Sequence, residues 1–150
     1  MVVLIMKIFV RRLINSLLLD TNVLIYIKDR SSIFHSWAQE ILRGEYAYYT
    51  TRKNLAEYYA VTTKGAEPAL SPEEALADLK DYFQYCQILF PDQTSHEELV
   101  VLIAKDKPTG LKVHDYEIAA IAIANGIRTI ATNNPDDFKR IDGLQIISPG

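Results

Sequence analysis

The stretch Leu17-Leu18-Leu19-Asp20-Thr21-Asn22-Val23-Leu24-Ile25 decides the fold class of this chain. An uninterrupted apolar run such as 17–19 is typical of a strand buried inside a parallel sheet. Asp20 stands where that strand ends, and open α/β folds bind their ligands at the carboxyl edge of the sheet. Because folding requires no carboxylate at this point, Asp20 is the first candidate for a functional residue.

Composition indicates an ordinary globular protein with no general attraction for nucleic acid. The chain has 150 residues, of which 49% are hydrophobic and 23% charged, and its net charge is −3. We expect one domain over residues 1–150. Cys86 is the only cysteine, which excludes an intramolecular disulfide and favours a reducing, cytoplasmic location. Because the net charge is negative, binding to RNA would need local positive charge.

The first sixteen residues have no pattern typical of a targeting signal. Residues 1–10 are apolar apart from Lys7, and Arg11-Arg12 follow them. A secretory signal has its positive charge before the apolar stretch, and this stretch is too short to span a bilayer. We therefore expect no membrane association. Residues 1–16 are interpreted as an extra strand or arm, or as an upstream addition to a domain that begins near Leu17.

Strand and helix patterns alternate along the rest of the chain. The predicted strands are 17–19, 46–50, 87–90, 128–131 and 144–147. The predicted helices are 22–28, 32–43, 54–63, 71–86, 94–105 and 114–125. Alternation of this kind predicts a three-layer α/β/α fold, Rossmann-like, with a central, mainly parallel sheet.

Three acidic residues and one polar turn are the candidates for chemistry. Asp20 and the polar turn at 132–138 both follow predicted strands, so they belong to the same edge of the sheet. Glu57 and Asp115 join them if they lie in the first turns of helices near that edge. Crowded carboxylates raise one another's pKa unless a cation neutralises them. Oxygen ligands favour Mg²⁺ or Mn²⁺ over zinc, and the chemistry expected is metal-assisted hydrolysis of a phosphodiester.

Each of these acids also has a purely structural interpretation, and the sequence leaves both open. Asp20 or Asn22 could cap the helix that follows. Asn54 and Glu57 have the spacing of a capping box, and Asp115 could interact with the dipole of its helix.

The chain resembles the PIN-domain family, and within it the VapC-type toxins of toxin–antitoxin pairs. The resemblance extends from Leu17 to about Ile147. The matching pieces are 17–25, Asn54-Leu55-Ala56-Glu57, Asp115 with Ile118-Ala119-Ala120, and Thr132-x-Asn134-x-x-Asp137-Phe138. Together, in this order, they are fairly specific.

The resemblance implies an Mg²⁺- or Mn²⁺-dependent endoribonuclease that leaves a 5′-phosphate and a 3′-hydroxyl. Asp20, Glu57 and Asp115 would be its catalytic metal ligands. Asn134 would hold the fourth catalytic position, where many relatives have Asp, and Asp136 or Asp137 could substitute for it. Thr21 and Asn22 could orient Asp20 or contact phosphate. The family also implies an RNA substrate, a homodimer and an antitoxin protein partner.

Basic and aromatic residues near the acids allow further interpretations. A basic rim could contact phosphate, or its members could be solvated surface charges; they are Lys28, Arg30, Arg52, Lys53 and Lys112. Tyrosines could stack on bases, although most are expected in the core; they are Tyr46, Tyr48, Tyr49, Tyr58 and Tyr59.

Two other functions are compatible with the sequence. The first is a catalytically degenerate PIN module that binds RNA or a protein partner, which is suggested by Asn134. The second is a phosphatase or phosphoryl-transfer domain with Asp20 as nucleophile. This second alternative is weakened because Thr21-Asn22 follows Asp20 and no Asp-x-Asp motif is present there.

Overall fold

One five-stranded parallel sheet forms the centre of the molecule. The computed structural model describes residues 1–6 and 15–150. The strands are β1 (Asn15–Leu19), β2 (Tyr46–Thr51), β3 (Cys86–Leu89), β4 (Thr129–Ala131) and β5 (Gln145–Ile147). Their order in the sheet is β3-β2-β1-β4-β5, and every pair is parallel. This arrangement confirms the predicted fold class.

Six helices connect the strands. They are α1 (Thr21–Lys28), α2 (His35–Arg43), α3 (Arg52–Thr62), α4 (Pro72–Tyr85), α5 (Gln93–Asp106) and α6 (Val113–Ala124). Short 3₁₀ helices lie at Gly110–Lys112 and Pro135–Asp137. The predicted ends of helices and strands differ from the observed ones by three residues at most. No helix in the described part of the chain is both long and apolar enough to cross a membrane.

Side chains from β1 are buried on both faces of the sheet. Leu18 packs with residues of α5 and α6 on one face, whereas Leu17 and Leu19 pack with residues of α1 to α4 on the other. All three leucines are fully buried. This two-sided burial explains why the strand is an uninterrupted apolar run rather than an alternating one.

The first six residues do not form the extra strand that was considered for residues 1–16. Residues 2–6 are helical and exposed, so the extra-strand interpretation is wrong for this part. Residues 7–14 lie outside the described residues. Strand β1 begins at Asn15, close to the expected start of the domain near Leu17.

Candidate functional site

The candidate site lies at the carboxyl ends of β1, the central strand, and its neighbour β4. The amide of Asp20 donates to the carbonyl of Ala131 at 3.0 Å, and the amide of Thr132 donates to the carbonyl of Ile147 at 2.9 Å. The residues that follow β1 and β4 are therefore held side by side. The chain passes from β1 to β2 on one side of β1, whereas β4 lies on its other side. Such a reversal of strand order opens a ligand crevice in α/β sheets.

Asp20 is buried and its carboxylate is held by donors on both oxygens. Only 8% of the residue is exposed. Oδ1 accepts from the Thr21 amide at 2.9 Å and from Asn54 Nδ2 at 3.1 Å. Oδ2 accepts from Thr132 Oγ1 at 2.7 Å and from Asn22 Nδ2 at 3.4 Å. Asp20 is also the N-cap of α1, so the capping interpretation is confirmed. The Thr21 amide and the Asn22 side chain both contact the Asp20 carboxylate, as the proposed orienting role requires.

Glu57 is connected to Asp20 through neighbouring polar side chains. Thr21 Oγ1 donates to Glu57 Oε2 at 3.1 Å and accepts from Asn54 Nδ2 at 3.0 Å. Because Asn54 also donates to Asp20, the two acids belong to one hydrogen-bond network. Glu57 itself is exposed.

The capping-box interpretation of Asn54 and Glu57 is wrong. The N-cap of α3 is Thr51, the last residue of β2, and its capping-box partner is Asn54. Helix α3 therefore begins directly where β2 ends, and Glu57 lies in its second turn rather than its first. No helix cap accounts for the carboxylate of Glu57.

Asp115 lies in the first turn of α6, as expected, and is half-buried. Burial, followed by the negative charges of Asp137, Asp20 and Glu57, raises the pKa of Asp115 to about 6. Burial also raises the pKa of Asp20, with the charges of Glu57 and Asp137 adding to this and the bonds from Thr132 and Thr21 opposing it. Four carboxylates are thus close enough to affect one another.

Asn134 and Asp137 occupy different roles in the polar turn. The amide of Asn134 donates to Thr132 Oγ1 at 3.0 Å, which helps to hold the hydroxyl that contacts Asp20. The side chain of Asn134 is exposed and makes no hydrogen bond within the described part of the chain. Asp137, considered from the sequence only as a substitute, is the acid whose charge reaches both Asp20 and Asp115.

The donor chemistry of this cluster fits a hard divalent cation. All four acids offer carboxylate oxygens, which Mg²⁺ and Mn²⁺ prefer. A cation would also offset the repulsion that, together with burial, raises the pKa values of Asp20 and Asp115. Within residues 1–6 and 15–150, however, no three acidic, histidine or cysteine side chains converge on one point in coordination geometry.

Two of the basic residues considered for a rim lie close to the acids or to their helix α6. Lys53 contacts Glu117 and His114 of α6, and Lys112 lies near enough to oppose the raised pKa of Asp115. Lys28 is instead paired with Asp78 and Asp81 at the far end of α1, so its assignment to the rim is wrong.

Most of the tyrosines belong to the packed interior, as expected. Tyr58 is 1% exposed and donates to Asp78 at 2.5 Å, while Tyr48 donates to the carbonyls of Ile41 and Gly44. Tyr59, at 38% exposed, is the exception among the five.

Two residues of the site were not recognised as Asp20 partners from the sequence. Asn54 and Thr132 both donate to the Asp20 carboxylate, from 34 and 112 residues away. The available signal was their position: each is a polar residue within a few positions of a predicted strand end, inside a motif that also contains an acid.

Comparisons with known proteins agree with this fold. A family description, the PIN domain, matches residues 17–144. Among curated proteins, no relative matches the chain.

Three solved structures illustrate the similarity in fold. VapBC2 from Rickettsia felis, solved bound to a DNA fragment from the promoter, is 22% identical with a TM-score of 0.69, covering 89% of this chain and 98% of that one. VapC20 from Mycobacterium tuberculosis, a toxin that cleaves the sarcin-ricin loop, is 12% identical with a TM-score of 0.70, covering 89% and 100%. DNA-bound VapBC from Salmonella typhimurium is 24% identical with a TM-score of 0.66, covering 90% and 98%. At these identities the similarity establishes the fold.

Proposed function

Because the chain belongs to the PIN-domain family, we propose that it is an endoribonuclease dependent on Mg²⁺ or Mn²⁺ and the toxin of a VapBC-type pair. The observation that carries the proposal is the group of coupled carboxylates around Asp20 at the carboxyl edge of β1. The structural neighbours, which are VapBC and VapC proteins, support the toxin assignment.

Asp20, Glu57 and Asp115 are the proposed metal ligands. A divalent ion bound to them would lower the pKa of the attacking water and offset the charge that develops on the phosphodiester in the transition state. Asp20 is held in one orientation by Asn54 and Thr132, so little reorganisation is needed on its side of the site. Asn134 assists through its backbone amide, which bonds to Thr132 Oγ1.

Hydrolysis by the purified protein is the direct test. We expect single-stranded or structured RNA to be cut in Mg²⁺ or Mn²⁺ and to stay intact in EDTA. End analysis should find 5′-phosphate and 3′-hydroxyl products. Asp20→Asn and Asp115→Asn should abolish cutting. The proposal fails if wild-type protein leaves RNA intact in both metals and Asp20→Asn changes neither metal binding nor toxicity on expression.

The proposed partners follow from the same family. The similar solved structures include a toxin–antitoxin complex from Klebsiella pneumoniae and the toxin–antitoxin system VapBC-5 from Mycobacterium tuberculosis, which supports an antitoxin partner for this chain. We propose a homodimer, located in the cytoplasm, whose activity the antitoxin inhibits. Co-expression with the product of a short adjacent reading frame should yield a stable complex without nuclease activity, and light scattering should give twice the mass of 17.0 kDa for the toxin alone.

A degenerate module that binds without catalysis is the second candidate. It is favoured by the exposed Asn134 and by the lack of three converging ligands among the described residues. Calorimetric titration with Mn²⁺ discriminates between the two. Binding in the micromolar range that Asp115→Asn abolishes supports the enzyme, whereas no binding below millimolar concentrations supports the inert module.

A further inference from the structure

The negative charge of this protein opposes the binding of RNA, which is itself negatively charged. The net charge is −3, and the site itself gathers the carboxylates that would repel a phosphate backbone. Several lysines are occupied by ion pairs away from the acids, such as Lys28 with Asp81 and Lys105 with Asp142. Positive charge therefore helps the substrate only where a cation stands beside the acidic cluster.

Lys53 stands at such a position. It lies in the first turn of α3, four residues before Glu57, so the two side chains share one face of the helix. Its ammonium crosses to α6, where it contacts Glu117 Oε2 and approaches His114 Nδ1 at 2.6 Å. An ammonium has three donors, so these two contacts leave one N–H for a further acceptor. The side chains of Lys53 and Glu117 are 27% and 34% exposed, which leaves that donor accessible to solvent.

Lys112 is a second cation close to Asp115. It ends the 3₁₀ helix that leads into α6, three residues before Asp115, and it is exposed. Its charge opposes the raised pKa of Asp115. It also adds slightly to the effect of Lys139, which lowers the pKa of Asp136. Within the described residues it has no carboxylate partner at salt-bridge distance.

We propose that Lys53 and Lys112 form a phosphate-binding edge beside the acidic cluster, on which single-stranded RNA lies. Glu117 contacts the Lys53 ammonium and neutralises part of its charge. The inference rests on the proposed function, and it identifies which side of the acidic cluster the substrate backbone contacts. Such contacts fix position and carry no information about base sequence.

Binding without cleavage is the suitable test, so we use the Asp20→Asn protein in EDTA with a fluorescently labelled single-stranded RNA. Anisotropy titrations should show that Lys53→Gln and Lys112→Gln each weaken binding by about threefold to tenfold at low salt. Each should also reduce the slope of log affinity against log salt by about 0.7. Glu117→Gln removes a negative charge beside the same path, so we expect it to tighten binding.

The ion pair at the far end of α1 offers a matched control. Lys28→Gln and Asp81→Asn remove the same charges from a second interhelical pair, at 2.8 Å, roughly 12 Å along α1 from Asp20. These variants should bind RNA within about twofold of the parent. Thermal unfolding of every variant verifies that it is folded.

The outcomes separate this inference from the function it rests on. The edge is refuted if Lys53→Gln and Glu117→Gln both weaken binding, or if both lysine variants match the Lys28→Gln control. The ion pair of Lys53 and Glu117 would then serve only to connect α3 to α6. Absence of RNA binding refutes the edge as well. A different result would refute the proposed hydrolysis and still support the edge: the wild-type protein cleaves no RNA in the presence of metal, but binding in EDTA depends on the two lysines.

Discussion

At the scale of single residues, the orientation of Asp20 depends on donors that come from three separate parts of the chain. A buried carboxylate is destabilised by desolvation, and hydrogen bonds to its charged form offset that cost. The bond from Thr132 is the shortest of these, at 2.7 Å, and it is the strongest of the hydrogen bonds that oppose the raised pKa of Asp20. Removing it should therefore affect function more than fold.

Thr132→Val tests this expectation, because valine keeps the shape of threonine and removes only the hydroxyl. We expect a 10- to 100-fold loss of metal affinity or cleavage rate. The loss of stability should be about 1 to 3 kcal/mol, since a bond to a charged group is removed. Thr62→Val is the matched control: Thr62 is also buried, but its hydroxyl donates to the carbonyl of Tyr58 within α3. The control should lose some stability and keep its activity, and equal losses of activity in both variants would contradict the role of Thr132.

The polar turn after β4 permits a second comparison of single residues. The charge of Asp137 reaches both Asp20 and Asp115, whereas the side chain of Asn134 is exposed and contributes only its backbone amide. Asp137→Asn should therefore reduce Mn²⁺ affinity, measured by calorimetry, by at least about tenfold. Asn134→Ala should change it by less than about threefold. The reverse order would place the fourth ligand at Asn134 instead.

At the scale of helices and strands, most of the architecture was accessible from the sequence. The apolar run 17–19 has to be buried on both faces, and the start of α4 at Ser71-Pro72 combines a capping hydroxyl with a proline at the first helical position. These signals are local, so they can be recognised from one amino-acid sequence alone. The same holds for Asp115 at the start of α6.

Features that depend on the contact between two helices or strands could not be predicted from the sequence. Thr51 both ends β2 and caps α3, so the helix starts two residues earlier than the apolar pattern suggests. The spacing of Asn54 and Glu57 therefore predicted a capping box at the wrong pair of residues. The bond from Thr132 to Asp20 spans 112 residues, and the pair of Lys53 and Glu117 spans 64. No local pattern encodes such pairs, because they follow from the order of strands in the sheet.

The end of α5 provides a test at this scale that is independent of function. Lys107 terminates the helix with φ 50° and ψ 52°, a left-handed conformation that costs a residue with a Cβ about 1 kcal/mol. Lys107→Gly should raise the unfolding free energy by about 0.5 to 1 kcal/mol, visible as a melting temperature roughly 2 °C higher. Ala104→Gly, three residues earlier inside the helix, should lower it by about 1 kcal/mol. A loss of stability in both variants would show that the cap is not strained.

For the molecule as a whole, the crowded carboxylates link stability to pH and to metal. The pKa of Asp115 is about 6 in the folded protein, above its ordinary value of 3.8. Between these values the folded state binds more protons than the unfolded state, so the free energy of unfolding falls as pH rises. The stabilisation is complete below about pH 4 and is lost by about pH 6 to 7. Asp20, whose pKa is also raised, contributes in the same direction.

Thermal unfolding in EDTA and in Mn²⁺, from pH 4 to pH 8, would reveal this linkage. Asparagine at position 115 mimics the protonated carboxyl, so in EDTA at pH 7.5 Asp115→Asn should be more stable than wild type by about 1 kcal/mol, allowing for solvent screening of this half-exposed group. That corresponds to a melting temperature about 2 to 4 °C higher. The advantage should vanish near pH 4, where both proteins are neutral at this site. Saturating Mn²⁺ should reverse the order, because only the wild type gains binding energy from the ion. A wild type that is the more stable protein in EDTA at pH 7.5 would mean that its carboxylates do not repel one another, and the case for a cation at this edge of the sheet would lose its electrostatic basis.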